Sequence, residues 1–507
     1  MCLLAMWVVS ALAVPIPRAH ADTNVLQFAP NPVVFDQMAT NDNLVVLMAA
    51  ASEHNSGLTL YYDGPSVYPK HFWFDNCGNG TNDYMKWNVS LATGAVYHVY
   101  GKLSASANVP VRLSITGTNT LLDFTTRNIG WDKLDCGTIN IPAGTNQLVL
   151  RRNTTNTTDV ISIISLELIR ESDLPAYDQR VANFRADTTW LSQSKYGLMT
   201  QFGAWGYPPT GPQPTLQAFA NGFNVTNFVN LVTNTGAKYV IWSLTWYTYQ
   251  ILAPIQAVNN IVPGNTNITS TRDVIGELSA ALHRAGVRFM LYYHCGQDSQ
   301  WGYDSTPWWQ AQQFPEPDHT ERGTGDRSVL FTNWCNVITE IGNRYGTNLD
   351  GWFFDDAALV YYPGPFERLG QAAKAGNPNR LVSYNAWIAT KCTDFQEMWM
   401  GEGSQGQSQF GSTPAGGNGV FTDGPQQGLL QHGMFIMEQD WGIHQQNQPI
   451  TTAINASQAI GWVQSASARG VPLSFDMMMW SDQTYSAASL NVLLSLKNAI
   501  YDNGQTK

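Results

Sequence analysis

The stretch Leu349-Asp350-Gly351-Trp352-Phe353-Phe354-Asp355-Asp356 decides the fold class. An apolar run of this kind is typical of a strand buried on both faces, as in a parallel sheet covered by helices. Two adjacent carboxylates at its end are unfavourable unless they meet a polar cleft. Because side chains alternate along a strand, only one of Asp355 and Asp356 points inward. The inward carboxylate is the candidate nucleophile, and the other is expected to cap the following turn.

Similar apolar runs alternate with amphipathic stretches from about residue 185 onward. Strands are predicted at Leu198–Phe202, Tyr239–Leu244, Phe289–His294, Gly351–Asp355, Leu381–Asn385, Phe395–Met400, Met434–Glu438 and Pro472–Met477. Helical periodicity is found at Asn227–Asn234, Asp273–Ala285, Ser328–Tyr345, Pro365–Ala375, Asn455–Arg469 and Ala487–Asn503. This alternation predicts a (β/α)8 TIM barrel over 185–507. An open doubly wound sheet is the alternative, although no glycine-rich phosphate turn follows the first strand.

The residues before this region have a different pattern. Period-two alternation between glycine, asparagine and proline turns predicts an all-β sandwich over 22–172, followed by a linker at 173–184. The arrangement resembles the jelly-roll carbohydrate-binding modules attached to glycosidases. A structural domain that braces the barrel is an equally good interpretation.

The N-terminus predicts secretion. Residues 1–21 read as a signal peptide, with an apolar run and the small-x-small pattern Ala19-His20-Ala21 before Asp22. N-linked glycans are expected at the seven sequons, Asn79, Asn88, Asn153, Asn156, Asn224, Asn267 and Asn455. In an oxidising compartment Cys77 is expected to pair with Cys136, and Cys335 with Cys392.

Charge and composition narrow the choice of partner. The formal net charge is −11, which disfavours nucleic acid, and no later apolar run is long enough for a membrane span. The chain has 18 Trp and 21 Tyr residues, whose rings can stack on sugars, although most are expected in the core. Cysteine and histidine spacing gives no zinc pattern, and neither a metal nor an organic cofactor is expected.

Carboxylates at predicted strand ends indicate where chemistry takes place. Catalytic groups of a TIM barrel stand at the C-terminal ends of the strands, and glycoside hydrolysis needs two carboxyls. The strand-end acids are Asp298, Asp355, Asp356, Glu402, Glu438, Asp440 and Asp476, with Glu397 inside the sixth strand. Any one of them is more often a loop acid or a helix cap.

Three ordered segments resemble the α-L-fucosidase family of retaining glycoside hydrolases. They are Tyr196–Gly203, Gly236–Ile241, and Arg272–Leu278 leading to Gly286–Tyr293. The fourth strand then fits an apolar-Trp-Phe-Asp-Gly pattern of the family. The resemblance implies that Asp355 is the nucleophile.

The sequence departs from the family at the sugar-binding positions. Gln201-Phe202-Gly203 stands where the family has His-Trp-Gly, and Trp246 and Tyr247 replace paired histidines. A glycone other than fucose, furanosides included, is therefore a possibility. The candidate substrate-binding residues are Gln201, Trp205, Trp246, Tyr247, His294, Asp356 and Trp441.

The acid/base is harder to place, because its position varies in the family. The segment Thr393–Gly403 covers the expected spacing, and Glu402 is the first choice because flanking glycines let a carboxyl approach substrate. Glu438 is second and Glu397 third. The sequence thus predicts a secreted, retaining exo-glycosidase that acts on an oligosaccharide or polysaccharide. A glycan-binding protein on a glycosidase scaffold, and an inverting hydrolase or transglycosidase, are the alternatives.

Overall fold

The computed structural model describes 33–35, 44–49, 52–55, 58–62, 72–75, 83–127, 129–154, 161–294, 307–312, 328–355, 364–385, 391–402, 413–414, 416–424 and 426–502. Over these ranges the chain forms two antiparallel sheets followed by a parallel sheet with helices. No helix within them is long and apolar enough to cross a bilayer.

The N-terminal part is a sandwich of two antiparallel sheets, which agrees with the predicted all-β domain. The first sheet contains β1 (Val33–Phe35), β2 (Leu44–Met48), β4 (Thr59–Tyr62), β5 (Phe72–Asp75), β7 (Ala95–Ala105), β10 (Ile129–Ile141) and β12 (Ile161–Arg170). The second contains β3 (Glu53–His54), β6 (Met85–Leu91), β8 (Pro110–Ile115), β9 (Leu121–Thr125) and β11 (Gly144–Arg152). Buried and half-buried residues alternate along β6 and β8, which is why these segments form strands with one face in the core.

Neither predicted disulfide is found among the described residues. Cys136, Cys335 and Cys392 are free and buried, and Cys77 lies outside the described residues. Cys136 lies in the sandwich core, where its Sγ faces the carbonyl of Leu134. Burial raises the pKa of the Cys136 and Cys392 thiols to about 12 and that of Cys335 to about 11. The three cysteines therefore behave as small apolar side chains, because a protonated thiol is a poor nucleophile for disulfide exchange.

The segment predicted as a linker is largely helical, as α1 (Leu174–Phe184). The sandwich packs against the parallel sheet domain beside this helix. Lys133 of β10 forms an ion pair with Asp394 at 2.8 Å, and Tyr177 of α1 donates to the same carboxylate at 3.0 Å. Lys102 of β7 donates to the carbonyl of Cys392 at 3.1 Å. Lysines of the sandwich thus contact the segment that leads to Glu402.

The C-terminal part is built on a curled parallel sheet. Among the described residues it has seven strands, in the order β17-β16-β15-β14-β13-β21-β20. They are β13 (Tyr196–Thr200), β14 (Tyr239–Thr245), β15 (Arg288–His294), β16 (Gly351–Asp355), β17 (Leu381–Tyr384), β20 (Gly433–Ile436) and β21 (Leu473–Asp476). Each lies on one of the predicted strands.

The sixth predicted strand, Phe395–Met400, is shorter than expected. It is β18 (Met398–Trp399), which pairs in parallel with β19 (Leu430–Gln431) outside the seven-stranded sheet. Single backbone hydrogen bonds link its flanks to the sheet edges, from Glu397 to Val382 at 2.9 Å and from Met434 to Gly401 at 3.1 Å. The described sheet is therefore open between β17 and β20, and β18 lies in this gap.

Helices follow the strands as the periodicity predicts. They are α2 (Thr189–Ser192), α3 (Leu216–Gly222), α4 (Val225–Thr235), α5 (Gln256–Ile261), α6 (Val274–Arg284), α7 (Pro307–Ala311), α8 (Ser328–Tyr345), α9 (Phe366–Ala373), α10 (Ala456–Ser467) and α11 (Ala487–Lys497). Asp273 caps α6 by accepting from the amide of Gly276 at 2.7 Å, and Gly286 follows with φ of 74°. Both ends of α6 thus use the residues that helix termini favour.

The alternation along β16 separates two apolar layers. Trp352 and Phe354 pack in the large core between the sheet and its helices. Phe353 belongs to a smaller cluster with Met199, Tyr292 and Met434 from neighbouring strands, on the inner face of the sheet. Burial of an aromatic side chain stabilises the fold by about 1.5–3 kcal/mol, so this alternation fixes which face of β16 points inward. By the same period Asp355 lies on the face of Phe353.

Candidate active site

Asp355 stands at the C-terminal end of β16 and faces the cleft. The four preceding residues of the strand are buried, and Asp355 is half-buried. Its register partner on β15 is His294, so the two side chains lie on adjacent strands at the same edge of the sheet. The inward carboxylate that the alternation predicted is therefore Asp355. Asp356 lies outside the described residues, as does Asp298.

Tyr292 holds one oxygen of this carboxylate. Its hydroxyl donates to Oδ2 of Asp355 at 2.5 Å. Burial, followed by the charges of Asp355 and Glu402, raises the pKa of Tyr292 well above its ordinary value, and a hydrogen bond from Gln201 opposes this. Gln201 in turn accepts a hydrogen bond from Ser243. A polar network therefore runs from β13 and β14 through Tyr292 to the carboxylate, with the phenol kept protonated as a donor.

Asn385 holds the other oxygen and also contacts Glu402. It follows β17 directly and is 5% exposed. Its Nδ2 donates to Oδ1 of Asp355 at 2.7 Å and to Oε2 of Glu402. Because both oxygens contact one nitrogen, they lie at most two hydrogen-bond lengths from each other, which is about 5 Å here. The structure thus brings Asp355 and Glu402 together from strand ends that are 47 residues apart in sequence.

The two carboxylates line a cleft of about 90 Å³ at the C-terminal edge of the sheet. Its walls are formed by Met199, Gln201, Trp246, Tyr292, His294, Phe353, Met434 and Trp441. Gln201, Trp246, His294 and Trp441 are sequence-predicted residues, and they meet here from four different strand ends. The ring of Trp246 approaches Gly442 so closely that a Cβ on the glycine would lie 2.7 Å from it. The mixed aromatic and polar lining suits a small-molecule site.

Trp205 and Tyr247 do not line this cleft. Trp205 is 1% exposed and packs over Gly203, where a Cβ would lie 2.2 Å from the indole ring. The glycine that the sequence placed next to a sugar-binding position therefore makes room for a core tryptophan. Tyr247 is half-buried and stacks on His444, with ring centroids 5.4 Å apart.

Glu438 is also absent from the cleft lining. It is 3% exposed, and its Oε2 accepts from the backbone amide of Met478 at 3.0 Å. Burial raises its pKa to about 7. Asp476, fully buried at the end of β21, has a pKa raised well above its ordinary value by burial first and by Glu438 second. These two strand-end acids form a buried carboxyl pair beside the cleft.

Glu397, the third choice for the acid/base, has a structural role. Its carboxylate forms an ion pair with Lys374 at 2.5 Å and accepts from the backbone amides of Ala186 and Val382 at 3.0 and 2.7 Å. The side chain is 1% exposed and faces α9 rather than the cleft. Glu397 therefore joins the connecting segment, β17 and α9, and does not reach the site of Asp355.

Two residues that contact Asp355, Tyr292 and Asn385, were not among the predicted site residues. Tyr292 lies within an apolar strand, where the pattern indicates a core side chain. Asn385 ends the fifth predicted strand, so its position at the same sheet edge as Asp355 was a usable signal. An asparagine in a sequence does not by itself indicate a catalytic site, and its role becomes visible only from its contacts in the structure.

Comparisons with known proteins indicate what the chain is similar to. A sequence model described as alpha-L-fucosidase matches residues 176–409, and no curated protein matches the chain. Among solved structures, the α-L-fucosidase AlfC from Lactobacillus casei in complex with α-L-fucose is 16% identical. The match covers 62% of this chain and 99% of that one, with a TM-score of 0.44. The endo-fucoidan hydrolase MfFcnA4 from glycoside hydrolase family 107 is 17% identical, over 61% of this chain and 53% of that one, with a TM-score of 0.45.

The chain is a glycoside hydrolase. Residues 176–409, which contain Asp355 and Glu402, are similar to the α-L-fucosidase family. The resemblance drawn from the strand motifs is thereby confirmed.

Proposed function

We propose that the protein is a secreted, retaining exo-glycosidase in which Asp355 is the nucleophile and Glu402 the acid/base. The observation that carries this proposal is the shared contact of both carboxylates with Asn385. Retaining glycosidases have their two carboxyls about 5–5.5 Å apart, whereas inverting enzymes leave roughly 6.5–9.5 Å for a water molecule. The contacting oxygens of Asp355 and Glu402 are at most about 5 Å apart, which is shorter than the inverting separation and suits direct attack by Asp355.

In the first step an oxygen of Asp355 bonds to the anomeric carbon while the glycosidic C–O bond breaks. Glu402 donates its proton to the departing oxygen, which leaves as the aglycone alcohol. Tyr292 and Asn385 donate to the Asp355 carboxylate and fix its direction of approach. The product of this step is a glycosyl ester of Asp355, with Glu402 ionised.

In the second step water replaces the aglycone. Glu402, now a base, takes a proton from the water molecule while the oxygen of the water attacks the anomeric carbon. The ester bond to Asp355 breaks, the sugar leaves, and both carboxyls return to their first protonation states. No metal or organic cofactor takes part in either step.

The residues around the carboxylates differ from the family's sugar-binding histidines, and this supports a glycone other than fucose. Trp246 and Trp441 line the cleft as half-buried rings, and a pyranose or furanose can stack on such faces. Gln201 and His294 supply polar contacts for hydroxyl groups. A site built for particular hydroxyls rejects other sugars strongly, because buried polar groups would be left unpaired. The substrate proposed is a terminal sugar on an oligosaccharide or polysaccharide, related to but not restricted to α-L-fucose.

The fold and secretion complete the proposal. We propose that β18 closes the sheet into a (β/α)8 barrel, since its flanks hydrogen-bond to both β17 and β20. Secretion with N-linked glycans is supported by the predicted signal peptide and by the sequons. Asn153, Asn224, Asn267 and Asn455 are exposed and Asn88 is half-buried, while Asn79 and Asn156 lie outside the described residues.

A panel of aryl glycosides tests the assignment of the carboxylates. It contains the 4-nitrophenyl α-L-fucoside, several furanosides and the common hexosides, and it is run with wild type, Asp355→Asn and Glu402→Gln. Asp355→Asn is expected to lower kcat at least 10³-fold on every substrate that the wild type cleaves, because no ester can form at a useful rate.

The acid/base variant has a different expected result. Glu402→Gln should retain activity on aryl glycosides whose phenol leaves without protonation, and lose it on alkyl glycosides. Added azide should restore turnover by attacking the glycosyl ester without base assistance. Full activity of Asp355→Asn would contradict the nucleophile assignment, and equal losses of Glu402→Gln on aryl and alkyl glycosides would contradict the acid/base assignment.

A further inference from the structure

Asn385 occupies a position that the two-carboxylate scheme does not itself require. Its amide is buried between Asp355 and Glu402 and contacts both. The backbone of Asn385 is also held, because its N–H donates to the carbonyl of Phe354 at 2.8 Å, on the strand that carries Asp355. The backbone of Asn385 is therefore held against the residue that precedes the proposed nucleophile, and this fixes where its side chain begins.

Asparagine has the number of hydrogen-bond donors that two carboxylate acceptors require. An amide nitrogen carries two hydrogens, and here each has one carboxylate acceptor. Hydrogen bonds to charged acceptors are shorter and stronger than neutral ones, so the amide stabilises both carboxylates in their ionised forms. Serine or threonine would have one hydrogen for two acceptors, and aspartate would have none.

We propose that Asn385 is the positioning residue of the site, which sets the separation of Asp355 and Glu402 and selects the oxygen of Glu402 that carries the proton. Since Oε2 of Glu402 accepts from the amide, the transferable proton resides on Oε1. After the first step Asp355 is esterified and Glu402 is ionised, and the same N–H then stabilises Glu402 as the base. The inference rests on the proposed function, in which these two carboxyls are the nucleophile and the acid/base.

The role predicts a change in turnover without a change in substrate binding. Asn385→Ala removes both hydrogen bonds, so the carboxylates move apart and ionise less readily. Misplacement of a reacting group by about 1 Å can lower the rate about 10²-fold, and kcat is expected to fall by about that factor. KM should stay within about threefold, since Asn385 is not among the residues that line the cleft.

The pH profile separates positioning from simple space filling. Loss of the donor disfavours the ionised carboxylates, so the acidic limb of kcat/KM should move to higher pH in Asn385→Ala. Asn385→Ser keeps one donor and should recover part of kcat and part of the limb shift. Asn343→Ala, at an exposed position of α8, is the matched control and should behave as wild type.

The experiment measures kcat, KM and their pH dependence for the three variants on the aryl glycoside that the wild type cleaves fastest. Thermal unfolding midpoints verify folding, and if the alanine variant does not fold, Asn385→Ser carries the test with the same expected direction. Wild-type kcat and an unmoved acidic limb in the folded variants would overturn the inference. So would a rise in KM at constant kcat.

Asp355→Asn and Glu402→Gln are measured in parallel, so that two different failures can be told apart. If those variants stay active, the proposed function fails and the role of Asn385 fails with it. If they are inactive while the Asn385 variants keep the wild-type pH profile, only the positioning role is wrong.

Discussion

Glu438→Gln should stabilise the protein at neutral and alkaline pH and leave it unchanged in acid. Glu438 is 3% exposed, and burial raises its pKa from 4.5 to about 7. A carboxyl whose folded-state pKa is raised is destabilised in its ionised form, so stability is full below about pH 4.5 and falls as the pH rises through about 7. Hydrogen bonds with the Ser489 side chain and the Met478 amide lower the pKa of Glu438, but the effect of burial is larger.

The size of the effect follows from the displaced pKa. Each tenfold change in proton affinity corresponds to about 1.4 kcal/mol, so a displacement from 4.5 to about 7 corresponds to about 3 kcal/mol. Glutamine has the same shape, can accept from the amide of Met478 through its carbonyl oxygen, and has no ionised form. At about pH 8 the variant should therefore exceed wild type by up to about 3 kcal/mol in the free energy of unfolding.

Urea unfolding followed by tryptophan fluorescence, at several pH values between about 4.5 and 8, measures this difference. The control is Glu171→Gln, whose side chain is exposed, and its curve should stay parallel to that of wild type. The reasoning is refuted if wild type and Glu438→Gln differ by a constant amount over the whole range. It is also refuted if the variant is less stable than wild type at about pH 8.

Three further variants have expected outcomes. Glu397→Gln leaves the ammonium of Lys374 buried without its counter-charge, and should lower the free energy of unfolding by about 3–5 kcal/mol in urea titrations while kcat of the folded protein is unchanged. Tyr292→Phe removes the donor to Oδ2 of Asp355, and should lower kcat about tenfold in aryl-glycoside assays and raise the acidic limb of kcat/KM. Trp246→Ala removes a ring from the cleft wall, and should raise KM about tenfold with a smaller change in kcat; unchanged KM would exclude contact with the sugar.

The parallel sheet could be predicted because its strands are buried on both faces. A run such as Gly351–Phe354 has no polar position, so its periodicity does not distinguish a strand from a helix. Its short length and its flanking residues favour a strand. The same argument located the strand ends, and through them Asp355, Glu402, Gln201 and His294. The site was predictable to the extent that it consists of polar residues at strand ends.

The sixth strand could not be delimited in this way. The segment ends in the apolar run Met398–Met400, but Glu397 lies inside it, and its carboxylate accepts from the amide of Val382, which an extended sheet ladder would otherwise engage. A side chain thus replaces a ladder hydrogen bond and shortens the strand to Met398–Trp399. Periodicity reports burial, and it does not report which atom fills a backbone hydrogen bond.

Contacts that depend on the direction of a side chain could not be predicted from the sequence either. Trp205 and Trp246 are both tryptophans near strand ends, yet one fills space above Gly203 and the other lines the cleft. Disulfide pairing depends on the distance and direction of the Cβ atoms, and sequence spacing gives neither, so the pairs of Cys136 and Cys335 were mispredicted. The role of Asn385 belongs to the same class, because it is visible only when both of its acceptors are placed.

The anomeric configuration of the first-formed sugar is the most direct test of the central claim. Hydrolysis of the preferred glycoside is followed by proton NMR from the first minutes, before mutarotation mixes the anomers. A double displacement through Asp355 predicts that the product first appears with the configuration of the substrate. Initial release of the opposite anomer would contradict the account, because it would require a water molecule between the two carboxylates that Asn385 holds together.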